Sequence, residues 1–418
     1  MYPTLTAIVF AILFVVTAVH ADPVQQVVID VGQQEGAVRG EDHRAIQAAI
    51  DYAGSLGGGT VHVGDGRYTL RTCLTLRSGV KLIGSGEKTV LVLADGFRSA
   101  LAVDADANQR QVTVADPAGL AIGDRILIGD DQQAWGFRIT NAQVIGGDGL
   151  ATFILSEPVR DDSMVQRHGW VERNHPAIGG WGIRDASIEG FTIEGNVGRT
   201  PCAKRDGCRL GGIYLFECEN VAIRRCTIRN FNGDGISFQV SRKVLVEECL
   251  AEKNAGHGLH PGSGSQEPTL RKNRSLANGE DGIFVCWRVQ HGVFEGNESA
   301  DNTGRGISIG HKDSDNLFRG NRSIGNRGPG IEFRPETEAM GAHRNVFEGN
   351  TILDNGGCIV IRGRHDDLVF RNNTLGYSKT QDKPRHAIAS DGQAQRIVVE
   401  NNELKNATAE IEQLKPGN

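Results

Sequence analysis

The chain has 418 residues, with 55 glycines and only 6% aromatic residues, a balance that suits many short strands and tight turns better than a helical bundle. Its formal net charge is −6 with both signs interspersed, so nothing in it suggests a nucleic-acid partner. Length alone implies two or three ordinary domains, unless an internal repeat makes the chain one solenoid; composition leaves enzyme and structural protein equally open.

Residues 1–21, MYPTLTAIVFAILFVVTAVHA, form an apolar run ending in Val19-His20-Ala21. Small residues at the third and first places before Asp22 fit a secretory cleavage site. This segment is therefore expected to be a signal peptide, and the protein to be secreted, extracellular or periplasmic. No Lys or Arg precedes the apolar run, so an uncleaved anchor is the alternative. No later segment approaches the ~20 apolar residues of a spanning helix, and no membrane association is expected after removal.

Residues 41–54, EDHRAIQAAIDYAG, place Ile46, Ala49, Ile50 and Ala53 on one helical face. That face suits an N-terminal cap over an open end of stacked strands, which would otherwise aggregate. Gly57-Gly58-Gly59 leads into TVHV, and alternating strands continue through KLIG and TVLVL. Between about 104 and 180, QVTVADPAGLAIGDRILIGDD and LATFILSE are strand-like but keep no period, and read as an insertion on the early coils. It holds Trp135, His168, Trp170, Arg173, His175 and Trp181, and loops on a rigid scaffold are where function concentrates.

Eight cysteines in an exported chain raise the question of disulfides. Cys202 and Cys208 flank a short polar loop; Cys226 and Cys249 share a repeat position on adjacent coils, where small buried hydrophobes serve equally well. No pairing is assigned.

From residue 211 to about 405 the repeat is regular. Gly-apolar pairs recur at Gly212-Ile213, Gly235-Ile236, Gly258-Leu259, Gly282-Ile283, Gly306-Ile307 and Gly330-Ile331, with steps of 23, 23, 24, 24 and 24 residues. A second column runs Cys226, Cys249, Asn273, Asn297, Asn321, Asn350, Asn373, Asn402, often within Phe-x-Gly-Asn. A third runs Asn230, Asn254, Asn278, Asn302, Asn326. The period lacks a helical stripe, whereas GISF, KVLVEEC, GIFV and GVFEGN alternate as short strands. Stacking such coils at about 4.8 Å per rung puts like on like, and the asparagines become amide ladders. Several also match Asn-x-Ser/Thr, but the ladder accounts for them. EIEQLKPGN at the far end reads as a weak cap or frayed tail. The expected fold is an all-β, single-stranded right-handed parallel β-helix over 22–418, with an N-terminal capping helix and an inserted β-rich segment.

The stretch DVGQQEGAVRGEDHRAIQAAIDYAGSLGGGTVHVGDGRYTL resembles the opening of the pectate-lyase-like β-helix superfamily, which includes polysaccharide lyases, polygalacturonases and mannuronan epimerases. The resemblance implies this scaffold for nearly the whole mature chain, and a polysaccharide partner, but no particular reaction.

If Ile236, Leu259, Ile283, Ile307 and Ile331 point inward, alternation turns Tyr214, Ser237, His260, Phe284, Ser308 and Glu332 outward, followed by Phe216, Gln239, Gly262, Cys286, Gly310 and Arg334. A turn row, Asp234, His257, Asp281 and Arg305, precedes the strands. Such a face is suited to a sugar-binding groove. GHGLHPGSGSQ at 256–266 resembles the Gly-His-Gly motif of polygalacturonases, with His257 at the motif histidine and Asp234 at one aspartate. Gly233 and Gly211 stand where the other two aspartates belong, and the Arg-x-Lys is missing. An inverting hydrolase needs two carboxyls roughly 6.5–9.5 Å apart, so that mechanism fits poorly. More loosely, the segment resembles the Asp-Pro-His stretch of mannuronan epimerases, here His260-Pro261-Gly262.

β-Elimination asks for a base beside a uronate carboxylate and cations to neutralise it. The expected catalytic residues are His260 as base, Lys312 and Arg334 as neutralisers and His257 in support. Trp287 offers a face for a sugar, and Tyr214, Gln239, Asp234, Asp281, Arg305, His311 and Glu332 offer further contacts. Each has a plainer reading: a turn histidine, a solvated charge, a surface ion pair, a half-buried indole. Asp313 and Asp315 could join a Ca2+ site, though no cofactor is required and no metal ligands are assigned. The expectation is a monomeric lyase for an anionic extracellular polysaccharide; a hydrolase using Asp234, Asp281 or Glu332, a C5-epimerase and a non-catalytic glycan-binding β-helix are the alternatives.

Overall fold

The computed structural model describes residues 27–132, 138–205, 207–379 and 385–413; the 1–21 segment, Trp135 and the last residues of the C-terminal tail lie outside them. Strands repeat coil by coil and pair in parallel with their equivalents on the next coil, building a right-handed β-helix with three stacked strand columns. One column is a separate sheet that includes Ile178–Trp181, Gly211–Phe216, Asp234–Gln239, Leu259–Gly262, Ile283–Phe284, Ile307–Ile309 and Pro329–Glu336. The other two are joined through the long strands Val80–Leu93 and Arg184–Glu194. The register is the one the Gly-apolar pairs predict: Ile213 pairs with Ile236, Ile236 with Leu259, Leu259 with Ile283, and Ile283 with Ile307. All are buried in one continuous core.

Two polar corners run along the stack. Asn273, Asn297, Asn321, Asn350, Asn373 and Asn402 form a ladder, each amide nitrogen donating to the next carbonyl at 2.9–3.0 Å. Each backbone N–H donates to the same carbonyl, and each side chain also donates to a backbone carbonyl, as Asn297 does to Leu270. Cys249 heads this ladder, its N–H bonded to Asn273. The residue before each rung takes a left-handed conformation, φ 62° at Gly296 and 63° at Gly320, which is why glycine recurs in Phe-x-Gly-Asn. Phe294, Phe318, Phe347 and Phe370 stack inside at 4.4–5.1 Å.

The second ladder joins Asn254, Asn278, Asn302, Asn326 and Asn355. Asn230 does not belong to it. Phe231 holds that rung, its N–H bonded to Asn254, while Asn230 is the exposed left-handed residue before it. The coil there is 23 residues long, so a 24-residue step lands one place early.

The helix α1, His43–Ser55, caps the first coil with Ala45, Ile46, Ala49, Ile50 and Ala53 buried, and Asp42 accepts from the Arg44 N–H. The chain leaves the coil at Phe97 and makes an antiparallel sheet whose last strand is Trp170–Arg173; the coil resumes at Ile178–Trp181. This sheet has its own core of Leu101, Val112, Ile126, Ile128, Ala142, Val144, Leu155 and Val171. It is tied to the coils by Asp124, which pairs with Arg71 and Arg173 at 3.0 Å. At the other end Thr408–Gln413 adds a final strand, so the start of the tail extends the sheet. All eight cysteines are thiols, seven of them buried. Among the described residues no helix is long and apolar enough to cross a membrane.

Candidate functional site

The outer face of the separate sheet looks towards the antiparallel insertion, and between them lies a groove of ≈ 1090 Å³. Its floor presents Trp181, Tyr214, Phe216, Gln239, Ser263 and Trp287; Leu127, Asn141, Glu157 and Arg160 line the insertion side. Lys204, Arg205, Arg209 and Arg288 complete it. Five cations and Glu157 line it, and its indole and phenol rings offer flat apolar faces. Lys204 is paired with Glu280 and Arg205 with Glu172, whereas Arg160 and Arg288 stand exposed.

The expected outward rows exist. Tyr214, Ser237 and His260 are register neighbours, as are Phe216, Gln239, Gly262 and Cys286. Yet His260 is only 1% exposed. The strap after Thr200 crosses this part of the sheet, with Asn232 donating to the Cys202 carbonyl and the Ser237 hydroxyl to that of Gly207. Outward on a strand is therefore not the same as open to solvent.

Beneath the strap, His260 Nδ1 donates to Asp234 Oδ2 at 2.6 Å, and the His257 N–H donates to Asp234 Oδ1 at 2.9 Å. Burial raises the Asp234 carboxyl, against the lowering pull of His260. Burial also works against the His260 imidazolium, but the Asp234 partner overrides it and carries that group up to about 10. The pair holds its proton as a unit across neutral pH. His260 Nε2 turns the other way, 4.0 Å from the Cys208 thiol. The ligand atoms of Cys208, His260 and Cys286 all lie within 4.8 Å of one another, and the same holds for Asp234, His257 and His260.

His257 stacks on Phe284 at 4.2 Å, accepts the Asp281 N–H at Nδ1 and sets Nε2 3.2 Å from Glu280. Burial pushes its pKa well below the usual range, so it rests neutral. Asp281 accepts the Arg305 N–H, and Glu332 is clamped between Arg305 and Arg362. Both carboxylates are buried, Glu332 between its two arginines and Asp281 with one oxygen left without a hydrogen-bond partner. His311 stacks on Trp287 at 4.5 Å and lies 3.4 Å from Glu336. Tyr214 donates to the Cys208 carbonyl.

Two expected charge neutralisers are placed elsewhere. Arg334 spends its guanidinium on Ser308, the Val285 carbonyl and Asp313, above the Phe284 ring; the outward position three coils on is a brace of the sheet. Lys312 stands exposed in a left-handed turn held by Met340 and does not line the groove. The proposed Ca2+ pair is also dispersed. Asp313 accepts the Val289 and Gly310 N–H groups as well as Arg334, and Asp315 binds Arg344. Of the residues expected in the insertion, Trp170 and Arg173 are structural, His175 is buried against the Pro176 carbonyl, and His168 pairs with Asp131 on the surface; Trp181 lies on the resumed coil and reaches the groove. Sequence reasoning missed Lys204, Arg205 and Arg209, and weighed Cys208 only for a disulfide. Their only signal is CAKRDGCRL, a basic excursion outside the repeat.

A family model, the right handed beta helix region, matches residues 176–334 and 211–375. The chain has the right-handed parallel β-helix fold. Mannuronan C5-epimerase AlgE2 of Azotobacter vinelandii is 25% identical over 253 residues, 59% of this chain and 21% of that protein; Mannuronan C5-epimerase AlgE6 from the same organism is 47% identical over 64 residues. The chain thus spans about a fifth or less of these curated relatives. Among solved structures, the A-module of the Azotobacter vinelandii Mannuronan C-5 epimerase AlgE4 matches with TM-score 0.58 and 16% identity, covering 93% of this chain and 98% of that one. The Dettilon tailspike protein matches with TM-score 0.55 and 13% identity over 86% of this β-helix and 58% of its own chain. The fold is common to all of them; the site must be argued from its own residues.

Proposed function

We propose that this β-helix is a secreted carbohydrate-active enzyme that takes a uronate-containing polysaccharide into the groove and acts by removing the proton beside the uronate carboxylate. The observation that carries this reading is the Asp234–His260 pair, joined at 2.6 Å, under the strap whose Lys204, Arg205 and Arg209 line a groove that also holds aromatic rings. The carboxylate of the sugar repels the negative charge that builds when the neighbouring carbon is deprotonated. Arg160, Arg209 and Arg288 supply the neutralising field. Asp234 orients His260 and raises its basicity, so proton removal grows as pH approaches 10. Trp181 and Trp287 supply stacking faces.

Return of a proton to the opposite face gives the C5-epimer, the reading that the names of the curated relatives favour. In those epimerases the order is Asp-Pro-His; here the imidazole stands before Pro261, and Gly262 follows it. A Cβ on Gly262 would lie 2.5 Å from Gln239 Oε1 and 2.9 Å from His260 Nε2, so His260 fills the space that a side chain at 262 would need. β-Elimination starts from the same deprotonated sugar. The Tyr214 hydroxyl, on the groove floor, is the acid that would serve a leaving oxygen.

The test incubates the full chain with alginate, pectate and other anionic glycans in D2O. Epimerisation puts deuterium at C5 without shortening the polymer, and elimination creates ultraviolet-absorbing unsaturated ends. Reducing ends without either signal would replace this reading with hydrolysis, and retention of glycan with no exchange would leave a binding protein.

A further inference from the structure

We propose that Cys208, His260 and Cys286 form a site for a thiophilic divalent cation of the zinc class, with Asp234 as the residue that orients the histidine. Three observations converge. The two sulfurs and His260 Nε2 lie within 4.8 Å of one another, and the Cys208–His260 separation of 4.0 Å is close to the ~3.5 Å between sulfur and nitrogen in a tetrahedral zinc shell. The far nitrogen of His260 is bonded to a buried carboxylate, the arrangement that fixes tautomer and ring direction in metal-bound histidines. Finally, Gln239 Oε1 is buried without a hydrogen-bond partner, and it and His260 Nε2 both approach the space above Gly262. An orphaned oxygen there is explained by a cation or a water bound to one.

The other titratable cluster at this place does not compete. Asp234 gives one oxygen to the His257 N–H and the other to His260, and the His257 nitrogens face Asp281 and Glu280. Two thiols and an imidazole form a soft donor set that discriminates against Ca2+ and Mg2+. They come from three separated stretches, the strap and two neighbouring coils, so the ion would also pin the strap to the sheet. Binding displaces the His260 Nε2 proton and the thiol protons, and therefore tightens as pH rises.

One consequence rests on the proposed function: a filled site occupies the nitrogen that proton transfer requires, so the cation would act as an off-switch. The test uses reduced full-length protein and Co2+ as probe. Stoichiometric uptake with a thiolate-to-cobalt charge-transfer band, displaced by Zn2+, is expected. Cys286→Ser and, independently, Cys208→Ser on the strap should lose the band while keeping the β-sheet circular dichroism signal. Asp234→Asn should weaken affinity by about 10–100-fold. Absence of Co2+ uptake, an unchanged band in both serine variants, or a Cys208–Cys286 disulfide in the isolated protein would overturn the site. Activity is read separately: chelated protein that turns over uronate glycans and is silenced by Zn2+ supports the switch. Metal uptake by a protein inactive on every glycan would remove the functional reading and leave the site standing.

Discussion

The asparagine corner and the face around His260 both bury polar side chains, and they solve the problem in opposite ways. In the corner every rung meets its own kind. Asn297 accepts from Asn273 and donates to Asn321 and to the Leu270 carbonyl, so repetition satisfies each atom. Around His260 unlike groups meet: Asp234 with His260, His257 with Glu280, Arg334 with Asp313. Two oxygens there, on Gln239 and Asp281, are left without partners. Repeated polar burial holds the coils together, whereas broken repetition marks the place of the proposed chemistry.

The sharpest break of this comparison is His260→Gln, a polar replacement that keeps volume but cannot transfer a proton. It should reduce turnover by about 10²–10⁴-fold and, because buried Asp234 then faces a neutral partner, lower the melting temperature as well, read by rate and by thermal unfolding of the same sample. Asn297→Ala should act on stability alone. It strands the two Asn273 donors in the interior and should cost about 2–5 kcal/mol, measured by denaturant unfolding, with the groove intact.

Asp234→Asn tests how far the pair acts as a unit. The imidazole is raised from 6.5 to about 10, so its contribution to stability is complete below pH 6.5 and is lost as pH rises towards 10. In the variant that alkaline decline should flatten, and the rising limb of the rate profile should move towards neutrality. Unfolding curves and initial rates at several pH values decide it. The smallest effect is expected at Asn230. Asn230→Ala should cost only about 1 kcal/mol, because that side chain is exposed and outside the ladder and only its left-handed backbone favours Asn over Ala. A loss as large as that of Asn297→Ala would mean the corner extends one coil further.

The insertion shows why the site was only partly legible. Its alternating strands are visible in sequence, but nothing local says that Phe97 pairs with Arg173 or that Arg160 will face Trp181 across a groove. Likewise, alternation correctly put His260 and Arg334 on the outer face, yet it carries no information about the strap that covers one or the neighbours that engage the other.

By itself the sequence determined the stacked coils, the register and the ladders, because a repeat near 24 residues places each side chain against its own copy and the interaction is read off the spacing. The tertiary structure alone decided which outward residues meet a groove, which are sealed, and that Cys208 reaches His260 and Cys286. Those contacts join segments of no shared period, and only chain packing brings them within hydrogen-bonding or metal-binding reach.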